Sequence, residues 1–124
     1  MPTLKRRLGD LGEKIALDYL KAKNYHILER NYQRPWGEID IIASQNKEVI
    51  FIEVKTRKKS QNNFIWPEES VGFSKQKRLI KTARTYLLEK NYPGETNWRI
   101  DVIAVELDEQ KRRANLRHIK NAVY

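Results

Sequence analysis

The chain has 124 residues, 40% of them hydrophobic, which suits one domain with its own core, a chain that folds and does not stay disordered. It has no cysteine, so disulfides and thiolate zinc sites are excluded. Lysine and arginine number 25 against 16 acidic residues, a net charge of +9 that favours a polyanionic partner.

The first ten residues turn charged too early for a signal peptide, and no apolar run reaches membrane-spanning length. A single domain over 1–124 is expected, in a reducing cytoplasm and away from the membrane. Leu4 to Lys23 reads as a helix, with Leu8, Leu11, Ile15, Tyr19 and Leu20 in a stripe. Gly9 and Gly12 weaken it and mark close packing, and Asn24 can end it. Tyr25 to Tyr32 reads as a strand and Gln33 to Gly37 as a loop. Two strand arms follow, Gly37 to Ala43 and Val49 to Lys55, around the polar turn Gln45-Asn46-Lys47-Glu48. Arg57 to Pro67 is a polar loop ending in Phe64, Ile65 and Trp66. Ser74 is placed to cap a helix running to about Lys90, with Leu79, Ile80, Ala83, Tyr86 and Leu87 inward. After Pro93-Gly94 come a strand from Trp98 to Leu107 and a last one from Ala114 to Ile119. The order is α-β-β-β-α-β-β. The helix between the third and fourth strands implies a parallel crossover, hence an α/β fold with a mixed sheet flanked by helices.

The hairpin carries the chemistry. A turn centred on Asn46-Lys47 puts Asp40 opposite Glu53 and Glu38 opposite Lys55, with facing Cβ atoms about 5 Å apart. A slip of one residue would send Asp40 and Glu53 to opposite faces. Ile42, Val49 and Phe51 share the charged face, while Ile39, Ile41, Ile50, Ile52 and Val54 are read on the other. A strand pair apolar on both sides belongs inside a covered sheet. Two carboxylates so placed repel by roughly 3 kcal/mol at an effective dielectric of about 20. They need a cation between them, or one must protonate. Lys55 offers one charge; a divalent ion held by oxygen ligands offers more.

The segments Gly37-Glu38-Ile39-Asp40-Ile41-Ile42-Ala43 and Phe51-Ile52-Glu53-Val54-Lys55, with a helical Glu13, the Arg30-Asn31 strand, Ser74-Lys75-Gln76-Lys77-Arg78 and Arg99-Ile100-Asp101-Val102, resemble the PD-(D/E)xK nuclease superfamily. Within it they resemble the YraN family of small bacterial proteins. Ile39 stands where the signature has proline, which is not a metal ligand. The resemblance implies a restriction-endonuclease-like fold and a magnesium- or manganese-dependent DNA endonuclease. Asp40, Glu53 and the Val54 backbone carbonyl would be metal ligands, and Lys55 would orient or deprotonate the attacking water. Glu13 would be a further carboxylate approaching the metal, as in junction-resolving relatives. Gln76, with Lys75, would help at the scissile phosphate. Branched DNA in recombination or repair, and a homodimer, follow by the same analogy.

Further basic residues are suited to phosphate contact: Arg57, Lys58 and Lys59 beyond the active strand, and Lys75, Lys77, Arg78, Lys81 and Arg84 on the second helix. Trp66 and Phe64 either stack on bases or pin their loop to the core. Arg99 is read as pairing Asp101, and His26 and His118 as surface or packing residues. The rival readings are a nucleic-acid-binding module that cuts little or nothing, and an RNA- or ribosome-associated factor.

Overall fold

A computed structural model describes residues 3–59 and 72–123. The elements are α1 (Leu4–Ala22), β1 (His26–Arg34), β2 (Gly37–Gln45), β3 (Glu48–Lys58), α2 (Phe73–Glu89), β4 (Trp98–Asp108) and β5 (Arg113–Val123). This is the expected order. The five strands of the described residues form one sheet in chain order, with β3 and β4 parallel and every other neighbouring pair antiparallel. The α2 crossover lies between the two parallel strands, which no tight turn could join. No described helix is long and apolar enough to cross a membrane.

Local chemistry sets the boundaries. Thr3 caps α1, its Oγ1 accepting the Arg6 N–H at 3.1 Å. Asn24, at φ 67°, takes the left-handed position just past the helix. Asn46 and Lys47 both have positive φ, 51° and 65°, as a two-residue hairpin turn requires. The turn matters because both faces of the hairpin are apolar, so hydrophobicity alone would not resist a one-residue slip.

The core has two layers. Ala16, Leu17 and Leu20 of α1 pack with Ile41, Ile50, Ile52, Ile103 and Val105. Leu79, Ala83 and Tyr86 of α2 pack with Ile42, Val49, Phe51 and Ile100. Ile50 and Ile52 alternate with Val49 and Phe51 along β3, so the helices cover opposite faces of the sheet.

Several expectations are corrected. Gly72, not Ser74, caps α2, and it supplies no side-chain bond. The loop expected at Gln33–Gly37 shrinks to Pro35-Trp36, because β1 stays paired through Arg34 with Gly37. The last strand continues beyond Ile119 to Val123. The His118 side chain, 5% exposed, sits in a polar network, its Nε2 2.7 Å from Asp101 Oδ2 and its Nδ1 2.9 Å from the Tyr19 hydroxyl. The Arg99–Asp101 pair is found, at 2.9 Å. Ile39 packs with Tyr32 and the α2 layer, not with Ile41. Phe64, Ile65 and Trp66 lie outside the described residues.

Candidate active site

The β2–β3 ladder runs from Gln45 opposite Glu48 to Ile41 opposite Ile52, the register expected from the turn. Just beyond it, a side chain takes over from the backbone. The Val54 N–H donates to Asp40 Oδ2 at 2.7 Å.

The cause lies on β1. Arg30 faces Ile41 and Tyr32 faces Ile39. Ile41 belongs to the α1 layer, whereas Ile39 and Tyr32 belong to the α2 layer. Residues two apart on a strand normally share a face, so alternation reverses between them, at Asp40 on β2 and Asn31 on β1. Asn31 has φ 52°, a left-handed backbone that asparagine tolerates better than most residues. The reversal takes Asp40 out of the alternating pattern and lets its carboxylate reach the β3 backbone.

Asp40 thereby shares a pocket of about 220 Å³ with Glu38, Glu53 and Lys75. Glu53 is buried, and its Oε1 meets Lys75 Nζ at 2.7 Å and Lys55 Nζ at 3.6 Å. Burial, and then the Glu53 charge, push the Asp40 carboxyl up to about 8 against the pull of the Val54 N–H. Burial also draws the Lys55 ammonium below its ordinary range, reinforced by the contact with Lys75. Burial works against the Lys75 ammonium too, but its bonds to Glu53 and Lys55 outweigh that and raise its pKa. Lys75 therefore holds its proton more firmly of the two.

Glu13, on α1, is not among the lining residues but stands within electrostatic reach of Glu38 and Glu53. Burial raises its pKa, Arg30 opposes, and those carboxylates add to the rise. Its Oε1 is buried without a hydrogen-bond partner. Among the described residues, no three His, Cys, Asp or Glu side chains converge on one metal position. Gln76 lies in the first turn of α2, its N–H bonded to the Gly72 carbonyl at 3.0 Å, and Lys75 is the α2 side chain that lines the pocket.

The other cations lie elsewhere. Arg57 pairs with Glu106 at 2.8 Å, Lys58 with Glu109 at 3.0 Å and Lys59 with Asp108 at 3.5 Å. Lys77, Lys81 and Arg84 fall on the flank of α2 opposite its buried residues Leu79, Thr82, Ala83 and Tyr86. Lys77 covers the Phe73 ring and Lys81 the Trp36 ring. Arg78 is exposed on the same helix. Sequence reasoning missed Glu38 as a lining residue and Asn31 as the residue opposite Asp40. An asparagine inside a strand pattern was the available signal for the second.

The model of the "Uncharacterised protein family UPF0102" matches residues 12–105. A UPF0102 protein of Moorella thermoacetica is 46% identical over 122 residues, 98% of this chain and 99% of the relative. One of Alkaliphilus oremlandii is 44% identical over 121 residues, 96% and 99% of the two chains. One of Clostridioides difficile is 46% identical over 114 residues, 92% and 94%. With a family model over most of its length and full-length relatives of this similarity, the chain belongs to the UPF0102 family, the YraN family of the sequence resemblance.

Proposed function

We propose that the protein is a metal-dependent phosphodiester hydrolase acting on DNA. The observation that carries this reading is the meeting of Asp40, Glu53 and Lys75 at one pocket, with Lys55 against Glu53 at 3.6 Å and Asp40 lifted to about 8 by burial and Glu53. Two carboxylates, with the Val54 backbone carbonyl, leave much of a coordination sphere to water. That suits magnesium or manganese better than an ion needing a full protein cage. The unpartnered Glu13 Oε1 is a further hard oxygen close by. When bound, such an ion neutralises phosphate charge and lowers the pKa of a coordinated water.

The protein's own groups account for the rest. Lys55, whose ammonium is weakened by burial and by Lys75 against the opposing pull of Glu53, is suited to orient the attacking water or take its proton. Lys75 supplies positive charge for the transition state, and Gln76 follows it on α2. Endonucleolytic cutting, branched or repair-linked DNA and a homodimer rest on analogy; a cytoplasmic setting rests on the cysteine-free composition.

A nucleic-acid-binding module with little or no cleavage is the second reading, favoured by the net charge of +9 and by Lys77, Arg78, Lys81 and Arg84 exposed on α2. The test is cleavage of linear, flapped and four-way DNA with magnesium, manganese or EDTA. Glu53→Ala and Lys55→Ala should each lower the rate by about 100-fold or more, and EDTA should abolish it. Cutting that survives both substitutions overturns the proposal. DNA binding without cutting in any metal supports the second reading.

A further inference from the structure

Lys75 puts an ammonium group inside the carboxylate pocket. Lys75 Nζ lies 2.7 Å from Glu53 Oε1, closer than Lys55 at 3.6 Å, in the pocket that Asp40 and Glu38 also line. Two lysines thus share one buried carboxylate oxygen. The α2 cations Lys77, Lys81 and Arg84 turn to the opposite flank, so Lys75 is the one its helix lends to the pocket.

We propose that Lys75 is the resident counter-ion of the metal site, and that a divalent ion and Lys75 exchange places on Glu53. This rests on the nuclease reading and adds a step to it. Asp40 and Glu53 are the residues that would hold a divalent ion, and its charge would oppose the Lys75 ammonium, which lies 2.7 Å from Glu53 Oε1, since like charges in a half-buried pocket repel strongly. The ammonium must leave as the ion enters.

The fold allows it to leave. Lys75 is in the first turn of α2, where Gly72 gives no side-chain cap and no acidic residue offsets the helix dipole. The Lys75 side chain is 33% exposed, so releasing it opens no core cavity. Once off Glu53, it stands on the open side of the pocket, where a phosphate oxygen becomes its next partner. Lys75 is then a competitor of the metal in the free protein and a phosphate contact in the loaded one.

These two roles have opposite signs, which makes them separable. Lys75→Met should bind magnesium at least about tenfold more tightly than the wild type in calorimetric titration without DNA. At saturating magnesium it should cut DNA at least about tenfold more slowly. Lys75→Arg, which keeps the charge, should bind magnesium no more tightly than the wild type. A merely structural lysine would weaken both binding and cutting when removed. A measurement on the unaltered protein guards against a variant that fails to fold: magnesium should speed hydrogen exchange in the first turn of α2 at Gln76, whose N–H bonds the Gly72 carbonyl. Magnesium affinity that is unchanged or weaker in folded Lys75→Met, or first-turn exchange indifferent to magnesium, overturns the exchange while leaving the nuclease reading standing. If neither wild type nor variant binds magnesium and neither cuts DNA, both readings fall.

Discussion

The Val54 N–H is bound by the Asp40 carboxylate, at 2.7 Å, just where β2 and β3 cease to pair through their backbones. Asp40 therefore has a structural bond as well as a place in the pocket, and its burial raises its pKa from 3.8 to about 8. The sign of the linkage is definite. Below about pH 4 the group is protonated in both folded and unfolded chains. Between that and about pH 8 the unfolded chain loses the proton while the folded one keeps it, so stability falls as pH rises. Asp40→Asn retains an oxygen for Val54 and removes the titration. In EDTA, denaturant unfolding should show the variant gaining on the wild type from pH 4 to 8, by at most about 1.4 kcal/mol per pH unit, then levelling off. A difference independent of pH would refute this origin.

Asn31 stands across from Asp40 at the point where both strands reverse faces, and its φ is 52°. Asn31→Gly should be tolerated within about 1 kcal/mol, because glycine accepts this backbone readily. Asn31→Val should cost about 1–3 kcal/mol, since a β-branched residue resists it. It should also weaken magnesium binding by displacing Asp40. Urea unfolding and calorimetry on the pair check this; equal behaviour of the two variants would separate the kink from the site.

Gly12 is where α1 rests on β3. A Cβ there would lie 1.8 Å from Thr56 Oγ1 and 2.9 Å from its Cβ. Gly12→Ala should destabilise by about 1–3 kcal/mol or more, despite alanine's better helix propensity. Thr56→Gly removes every atom of that clash, so the double variant should recover part of the loss. Additive effects in a double-mutant cycle by urea unfolding would show that the clash is relieved elsewhere.

The basic surface should show itself in salt dependence. Lys81 and Arg84 form no ion pair with an acid among the described residues, whereas Lys58 is paired with Glu109. If α2 contacts phosphates, replacing Lys81 and Arg84 by glutamine should lower the slope of log affinity against log salt. The change should be about 0.9 per lost contact on duplex DNA. Lys58→Gln should change the slope less. Fluorescence anisotropy over a salt series measures it.

Much of this molecule was readable along the chain. Alternation in two short arms and a turn at Asn46-Lys47 are local features, and they suffice to set the register that carries Asp40 toward Glu53. The element order needed no more than periodicity and turn residues, because helix and strand spacings differ. What the tertiary structure decided was the direction of individual side chains. Glu106, Glu109 and Asp108 are far from Arg57, Lys58 and Lys59 in sequence, but the parallel β3–β4 pairing brings them alongside, so those cations are paired. Asp101 and His118 meet across the β4–β5 ladder in the same way. The reversal at Asn31 breaks the two-residue period on which strand reading depends, and only pairing with β2 shows where it falls. Lys75 reaches Glu53 because α2 packs its inner face on the sheet, a relation that no spacing along the chain encodes.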